Sequence, residues 1–166
     1  MIVKKKKGYE RFGFIDIFIL DREYGISSVI LELKCISLLG LYYGQIGRCE
    51  EPSYIDLKDL DDNLRMESEY ELLHRVYFYW SKEDQRYKKT IVKQTVDDGM
   101  CQLNKYINTV KNGKATNSKP GICDSKIKIK IGSSVVGGFL IVTIGSQRII
   151  TREISFSSIN YQFFLV

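Results

Sequence analysis

The sequence predicts an α/β fold, a mixed central sheet packed by helices, and three observations lead there. Apolar runs of strand length recur near both ends of the chain, at residues 12–20, 29–34, 126–131, 135–145 and 148–154. Between them lie two long stretches whose apolar residues return every third or fourth position, the spacing of a helix face. The third observation is size: 166 residues, 44% of them hydrophobic, can bury one ordinary core, so a single domain over 1–166 is expected.

The elements follow in order. Residues 1–11 form a basic segment with four consecutive lysines, Lys4 to Lys7. Residues 12–20 (Phe-Gly-Phe-Ile-Asp-Ile-Phe-Ile-Leu) and 29–34 (Val-Ile-Leu-Glu-Leu-Lys) both have period two and read as a hairpin. Glu23-Tyr24-Gly25 suits a three-residue loop with Gly25 in the left-handed position. Pairing about that loop sets Leu20 opposite Ser28, Phe18 opposite Ile30, Asp16 opposite Glu32 and Phe14 opposite Lys34; a two-residue turn would shift the register by one and separate the acids. Asp21 has the wrong parity and reads as a turn residue. Residues 36–47, apolar and punctuated by glycine, leave the hairpin as an irregular buried segment.

Ser53 or Asp56 caps a helix running to about Trp80. Its apolar stripe goes Leu57, Leu60, Leu64, then steps around near Arg65 to Met66, Tyr70, Leu73, Tyr77 and Trp80, which fits a bend or two packed helices. A core stripe is the ordinary explanation for these aromatics, and a base-stacking platform is the other. Residues 81–90 are charged and aperiodic and read as a loop, so 50–90 forms a helical insertion. A second helix spans 91–110 and ends at Gly113, followed by a loop over 114–124. Three strands come next, and 154–166 makes a C-terminal extension.

Composition narrows the function classes. No apolar run approaches the length of a spanning helix, and no signal-peptide pattern follows the basic start. The four cysteines (Cys35, Cys49, Cys101, Cys123) show no close pairing, so reduced thiols in an intracellular protein, cytoplasmic or nuclear, are expected. Net charge is +5 but unevenly placed: nine acids face two basic residues over 50–71, and fourteen basic residues face six acids from Lys82 onward. Such segregation fits a surface with one face on an anionic polymer, and it equally fits simple solvation of helices. Lys126, Lys128 and Lys130 share one strand face; that pattern marks either a solvated, aggregation-protected edge or a phosphate contact. His74 is the sole histidine and reads as a half-exposed helical residue, which removes a closed zinc site and a histidine-activated nucleophile from consideration. No glycine-rich phosphate loop is present, so nucleotide binding has no anchor.

The chemistry concentrates in the first hairpin. Glu32 and Lys34 point the same way, about 6–7 Å apart along the strand, and directly opposite residues have Cβ atoms roughly 5 Å apart. An acid and a lysine on one apolar strand face are costly to bury without partners. Two carboxylates as close as Asp16 and Glu32 would be repel each other unless a cation lies between them. The plain alternative is a Glu-Lys pair at a strand end. An acid on one strand and an acid-any-lysine triplet on the next resembles the PD-(D/E)XK nuclease superfamily. The segment Asp98-Gly-Met-Cys-Gln102-Leu-Asn-Lys-Tyr106 resembles that family's glutamine-bearing helix, and Gly138-Phe-Leu-Ile-Val-Thr-Ile-Gly145 with Arg148-Ile-Ile-Thr-Arg152 resembles its closing strands. Tyr79-Trp-Ser-Lys82 is similar to a stretch in the fungal branch found beside AAA-ATPase-like modules. Together these cover residues 8–153. Members usually begin with a glutamate-bearing helix and a first strand; here only residues 1–11 precede the hairpin.

The resemblance implies a restriction-endonuclease-like fold, N-terminally truncated, and a domain that hydrolyses DNA phosphodiester bonds, as part of a larger ATPase-associated protein. A hard ion such as Mg²⁺ or Mn²⁺ prefers oxygen ligands, and Asp16, Glu32 and the backbone carbonyl of Leu33 would supply three. Lys34 would orient the attacking water or stabilise the phosphoryl oxygens, and Gln102 would touch the water or a phosphate. DNA would meet basic residues such as Lys126, Lys128 and Lys130. The other expectation is a catalytically inactive module that keeps the scaffold and binds nucleic acid or protein.

Overall fold

A computed structural model describes residues 2–4, 12–19, 27–47, 51–116, 121–123 and 127–163. Leu20, Asp21 and the loop expected at 23–25 lie outside the described residues, as does Lys126. In chain order the elements are β1 (Ile2–Lys4), β2 (Phe12–Phe14), β3 (Ile17–Ile19), β4 (Ser27–Ile36), α1 (Leu38–Ile46), α2 (Tyr54–Met66) and α3 (Glu69–His74). They continue with β5 (Val76–Ser81), β6 (Arg86–Ile91), α4 (Val92–Lys111), β7 (Gly121–Ile122), β8 (Ile127–Ile144) and β9 (Arg148–Phe163). The chain is α/β, with helices against sheet. The described strands form a four-stranded sheet in the order β3-β4-β8-β9, a three-stranded sheet in the order β2-β1-β7, and the β5-β6 pair.

The chain groups into two compact units. The first comprises Met1–Glu32, Met100–Leu140 and Arg152–Val166. Here β1 runs antiparallel to β2, with Ile2 across from Phe14, and antiparallel to β7. The later turns of α4 bury Leu103, Ile107 and Val110. They seat on β8 at Gly138, where a Cβ would come within 2.6 Å of the Ile107 Cδ1 atom. α4 stops at Gly113, whose φ of +74° suits a residue without Cβ. Beyond it, Ala115 N–H donates to Ile122 O at 2.9 Å and Ile122 N–H donates to Gly113 O at 2.8 Å, closing the loop expected there.

The second unit comprises Leu33–Gly99 and Ile141–Thr151. Residues 38–46, expected to be irregular, form α1. Ser37 caps it by accepting from Gly40 N–H at 3.1 Å. Two glycines cost helix propensity, but Gly40 and Gly44 stand four apart on one face and let the helix lie against β5. A Cβ at Gly44 would lie 1.9 Å from the Val76 carbonyl oxygen. α2 opens on a capping box in which Asp56 N–H donates to Ser53 Oγ and Ser53 N–H donates to Asp56 Oδ2 at 2.8 Å. α3 repeats the device with Ser68 and Glu71. The helix expected to reach Trp80 therefore breaks after Met66, where the apolar stripe steps around, and ends at His74. Residues 76–91, expected as the end of a helix and a loop, instead make a hairpin, with Val76 across from Ile91 and Ser81 across from Arg86. β-branched and aromatic side chains dominate β5, and a strand partner wins over helical spacing once one is present.

Two further boundaries differ. The run 12–20 is not one strand: it divides at Ile15 and Asp16, so that β2 pairs with β1 and β3 pairs with β4. Phe14 accordingly faces Ile2 rather than Lys34. Residues 127–144 make one strand through Gly132, because neighbours in the sheet supply the ladder that a glycine alone would weaken. β9 likewise runs on to Phe163, through most of the expected extension. Among the described residues, no helix is long and apolar enough to cross a membrane.

Candidate active site

β4 carries most of the expected site. Its even positions, Ser28, Ile30, Glu32, Lys34 and Ile36, alternate with odd positions that turn outward. Ser28, Ile30, Glu32 and Ile36 are buried and Lys34 is half-buried. Glu32 is only 1% exposed, so a carboxylate stands within an apolar strand face, and Lys34 follows on the same side. Ser28, also 1% exposed, has a hydroxyl with no hydrogen-bond partner among the described residues. The Lys34 carbonyl accepts from Thr143 Oγ1 at 3.4 Å, fixing this part of the strand laterally. Leu33 sits between the two charged residues with its side chain exposed.

The register of the first hairpin is Ile17↔Leu31, Phe18↔Ile30 and Ile19↔Val29. This is the pairing that a three-residue loop demands. One further step would bring Asp16 across from Glu32, but the ladder ends at Ile17. Asp16 occupies a bend and is exposed, while Ile15 beside it is buried. The bend is the crossing from one sheet to the other, and it leaves Asp16 exposed while Glu32 is buried.

Gln102 lies on α4, half-buried, and its Nε2 donates to Tyr106 Oη at 2.9 Å, one turn along. Lys128 and Lys130 fall within β8. His74 is exposed at the end of α3, where its Nδ1 lies 2.7 Å from Tyr70 O. Among the described residues no group of three or more His, Cys, Asp or Glu side chains gathers as a metal cluster. A donor set of two carboxylates and a main-chain carbonyl is smaller than such a cluster.

Sequence reasoning passed over one buried acid. Asp61, counted among the acids of 50–71, is buried on α2 and holds the turn between β8 and β9. Ser146 N–H donates to Asp61 Oδ1 at 3.1 Å, and the Ser146 hydroxyl donates to Oδ2. Gly145 has φ of +58° there, and a Cβ on it would meet the Asp61 carboxylate. The signal was present in the spacing: Asp61 stands four after Leu57 and three before Leu64, on the inward face. Two surface concavities of about 200 and 220 Å³ border α1 and Arg75 and include none of the expected site residues. No family model, no curated protein and no solved structure matches the chain.

Proposed function

We propose that the chain is a metal-dependent, nuclease-like domain that hydrolyses DNA phosphodiester bonds with Asp16, Glu32 and Lys34. The observation that carries this reading is Glu32, buried in the apolar face of β4 with Lys34 two positions on. Placing an acid there costs free energy unless charge or hydrogen bonds balance it. The donors suit a hard divalent ion, Mg²⁺ or Mn²⁺, because Asp16, Glu32 and the Leu33 carbonyl all offer oxygen. Such an ion supplies a water of lowered pKa and neutralises charge on the phosphoryl group. Asp16 and Glu32 would hold it through their carboxylates, Glu32 from within the sheet and Asp16 from the exposed bend. The Lys34 ammonium orients the attacking water or balances charge on the phosphoryl oxygens. Gln102 positions water or phosphate, and Lys126, Lys128 and Lys130 meet the DNA backbone. A larger ATPase-associated protein is the setting that the sequence resemblance supports.

The test is incubation of plasmid with the purified chain and Mg²⁺ or Mn²⁺. Cleavage by the intact chain, lost in a folded Lys34→Ala variant, is the expected result. A second reading, a catalytically inactive module binding nucleic acid or protein, is favoured by the place of Asp16 in a bend outside the ladder. No cleavage together with salt-sensitive DNA binding would select it.

A further inference from the structure

We propose that the tip of the β5-β6 hairpin is a stacking platform for single-stranded nucleic acid, centred on Trp80 and Tyr87. The two residues face each other across the ladder, with ring centroids 5.0 Å apart in an edge-to-face arrangement. Cross-strand aromatic pairs stabilise hairpins, which accounts for the contact between the rings. It does not account for their exposure: Trp80 is 51% and Tyr87 41% exposed. An edge-to-face pair leaves ring surface open, and an open indole or phenol face is what an unpaired base stacks on. Tyr79, on the other face of the same strand, is also exposed.

Charge selects the occupant. Lys89, two residues from Tyr87 on the same strand, shares its face and is exposed. Lys82 and Arg86 flank the tip and are exposed as well. Of the two acids in the turn, Asp84 is engaged: it pairs with Lys88 at 2.5 Å and accepts from the Ser81 hydroxyl. Lys82, Arg86 and Lys89 make no ion pair among the described residues. Aromatic faces interleaved with exposed cations suit a phosphate backbone whose bases are unstacked, and a duplex would offer the phosphates without the bases. The turn is held rather than loose: Asp84 N–H donates to Ser81 Oγ, and Gln85 takes φ of +49°. The rings are thus presented on a fixed element. The platform requires no metal and does not depend on the roles proposed for Asp16 and Glu32.

Trp80 is the chain's only tryptophan, so its emission reports on the platform alone. The experiment titrates the full chain, with EDTA present, with an oligothymidylate of about 12 nucleotides, its uridylate counterpart and a duplex of the same length. The expected result is saturable quenching of Trp80 by the single strands, weakened by salt, and little response to the duplex. Comparison of the two single strands separates DNA from RNA. Followed by anisotropy of a labelled strand, Tyr87→Ala should weaken binding about ten- to a hundredfold, while Trp80→Phe should hold it within a few-fold. Lys89→Ala should lower the salt slope by about 0.7. Absence of single-strand binding, binding without Trp80 quenching, or equal quenching of Trp80 by the duplex would each overturn the proposal. A surface built for a protein partner gives the first outcome. If Tyr87→Ala loses its far-ultraviolet signal, the quenching and Lys89→Ala arms decide by themselves.

Discussion

Gly44→Ala isolates the contact that seats α1 against the hairpin. In an isolated helix the change is favourable by about 1 kcal/mol, because alanine has the higher propensity. Here the new Cβ would come 1.9 Å from the Val76 carbonyl oxygen and 2.6 Å from its carbon. Both are backbone atoms of β5, so no side chain can rotate away, and the helix must retreat by about 1 Å before the contact becomes tolerable. At Gly40, one turn earlier, a Cβ would come 2.3 Å from Phe78 O and from the Tyr77 ring, so the helix backbone lies close there too and tilting about Gly44 does not relieve the clash. Overpacking costs about 1–3 kcal/mol, and a rigid obstacle belongs at the upper end. After the propensity gain, Gly44→Ala should destabilise the protein by about 2 kcal/mol, which is a fall of about 4–8 °C in melting temperature for a chain of this size. Urea denaturation followed by circular dichroism reads it as a lower midpoint at unchanged slope. Gly137→Ala is the control, since its Cβ would meet nothing nearer than 3.7 Å. A Gly44→Ala protein as stable as the parent, or more so, would refute close packing of α1 on β5.

Three other outcomes are expected. Mg²⁺ or Mn²⁺ should raise the melting temperature with concentration; Asp16→Asn and Glu32→Gln should abolish the rise and Asp21→Asn should leave it, and equal responses from Asp16→Asn and Asp21→Asn would count against the site. Asp61→Ala, which strands the N–H and hydroxyl of Ser146, should cost about 1–3 kcal/mol in urea denaturation, and Asp61→Asn should cost less because its amide oxygen still accepts. The serine hydroxyls in the two capping boxes hold the Asp56 and Glu71 carboxyls below their ordinary range, with help from the serine N–H groups. A depressed carboxylate stabilises the native state above its unfolded pKa and loses that contribution as the pH falls from about 4 through the lower native value. Ser53→Ala and Ser68→Ala should therefore flatten the acid limb of a plot of melting temperature against pH, and an unchanged limb would remove the boxes as its cause.

Part of the site and fold is written in short stretches of chain. Ser53 with Asp56 marks the start of α2, and Gly113 marks the end of α4, because caps and left-handed turns are settled by residues within a few positions of each other. The alternation of 29–34 is equally local, and it puts Glu32 and Lys34 on one face of β4 whatever surrounds them. Even the pairing of Phe18 with Ile30 follows from parity and loop length.

Where two local patterns compete, the neighbours decide. Tyr77 and Trp80 continue a helical stripe from Tyr70 and Leu73, yet Val76, Phe78 and Trp80 also alternate, and only the presence of β6 makes the second pattern the winner. The same holds for α1, whose glycines look like interruptions until β5 lies against them. Asp16 reads as one more strand residue because nothing nearby reveals that β2 and β3 serve different sheets. Asp61 and Ser146 meet across 85 positions. By itself the sequence determined caps, turn ends and strand parity, which depend on near neighbours. Burial of Glu32, exposure of Asp16 and Trp80, and the division of one apolar run between two sheets were decided only by tertiary structure, because each depends on which distant backbone arrives beside the residue.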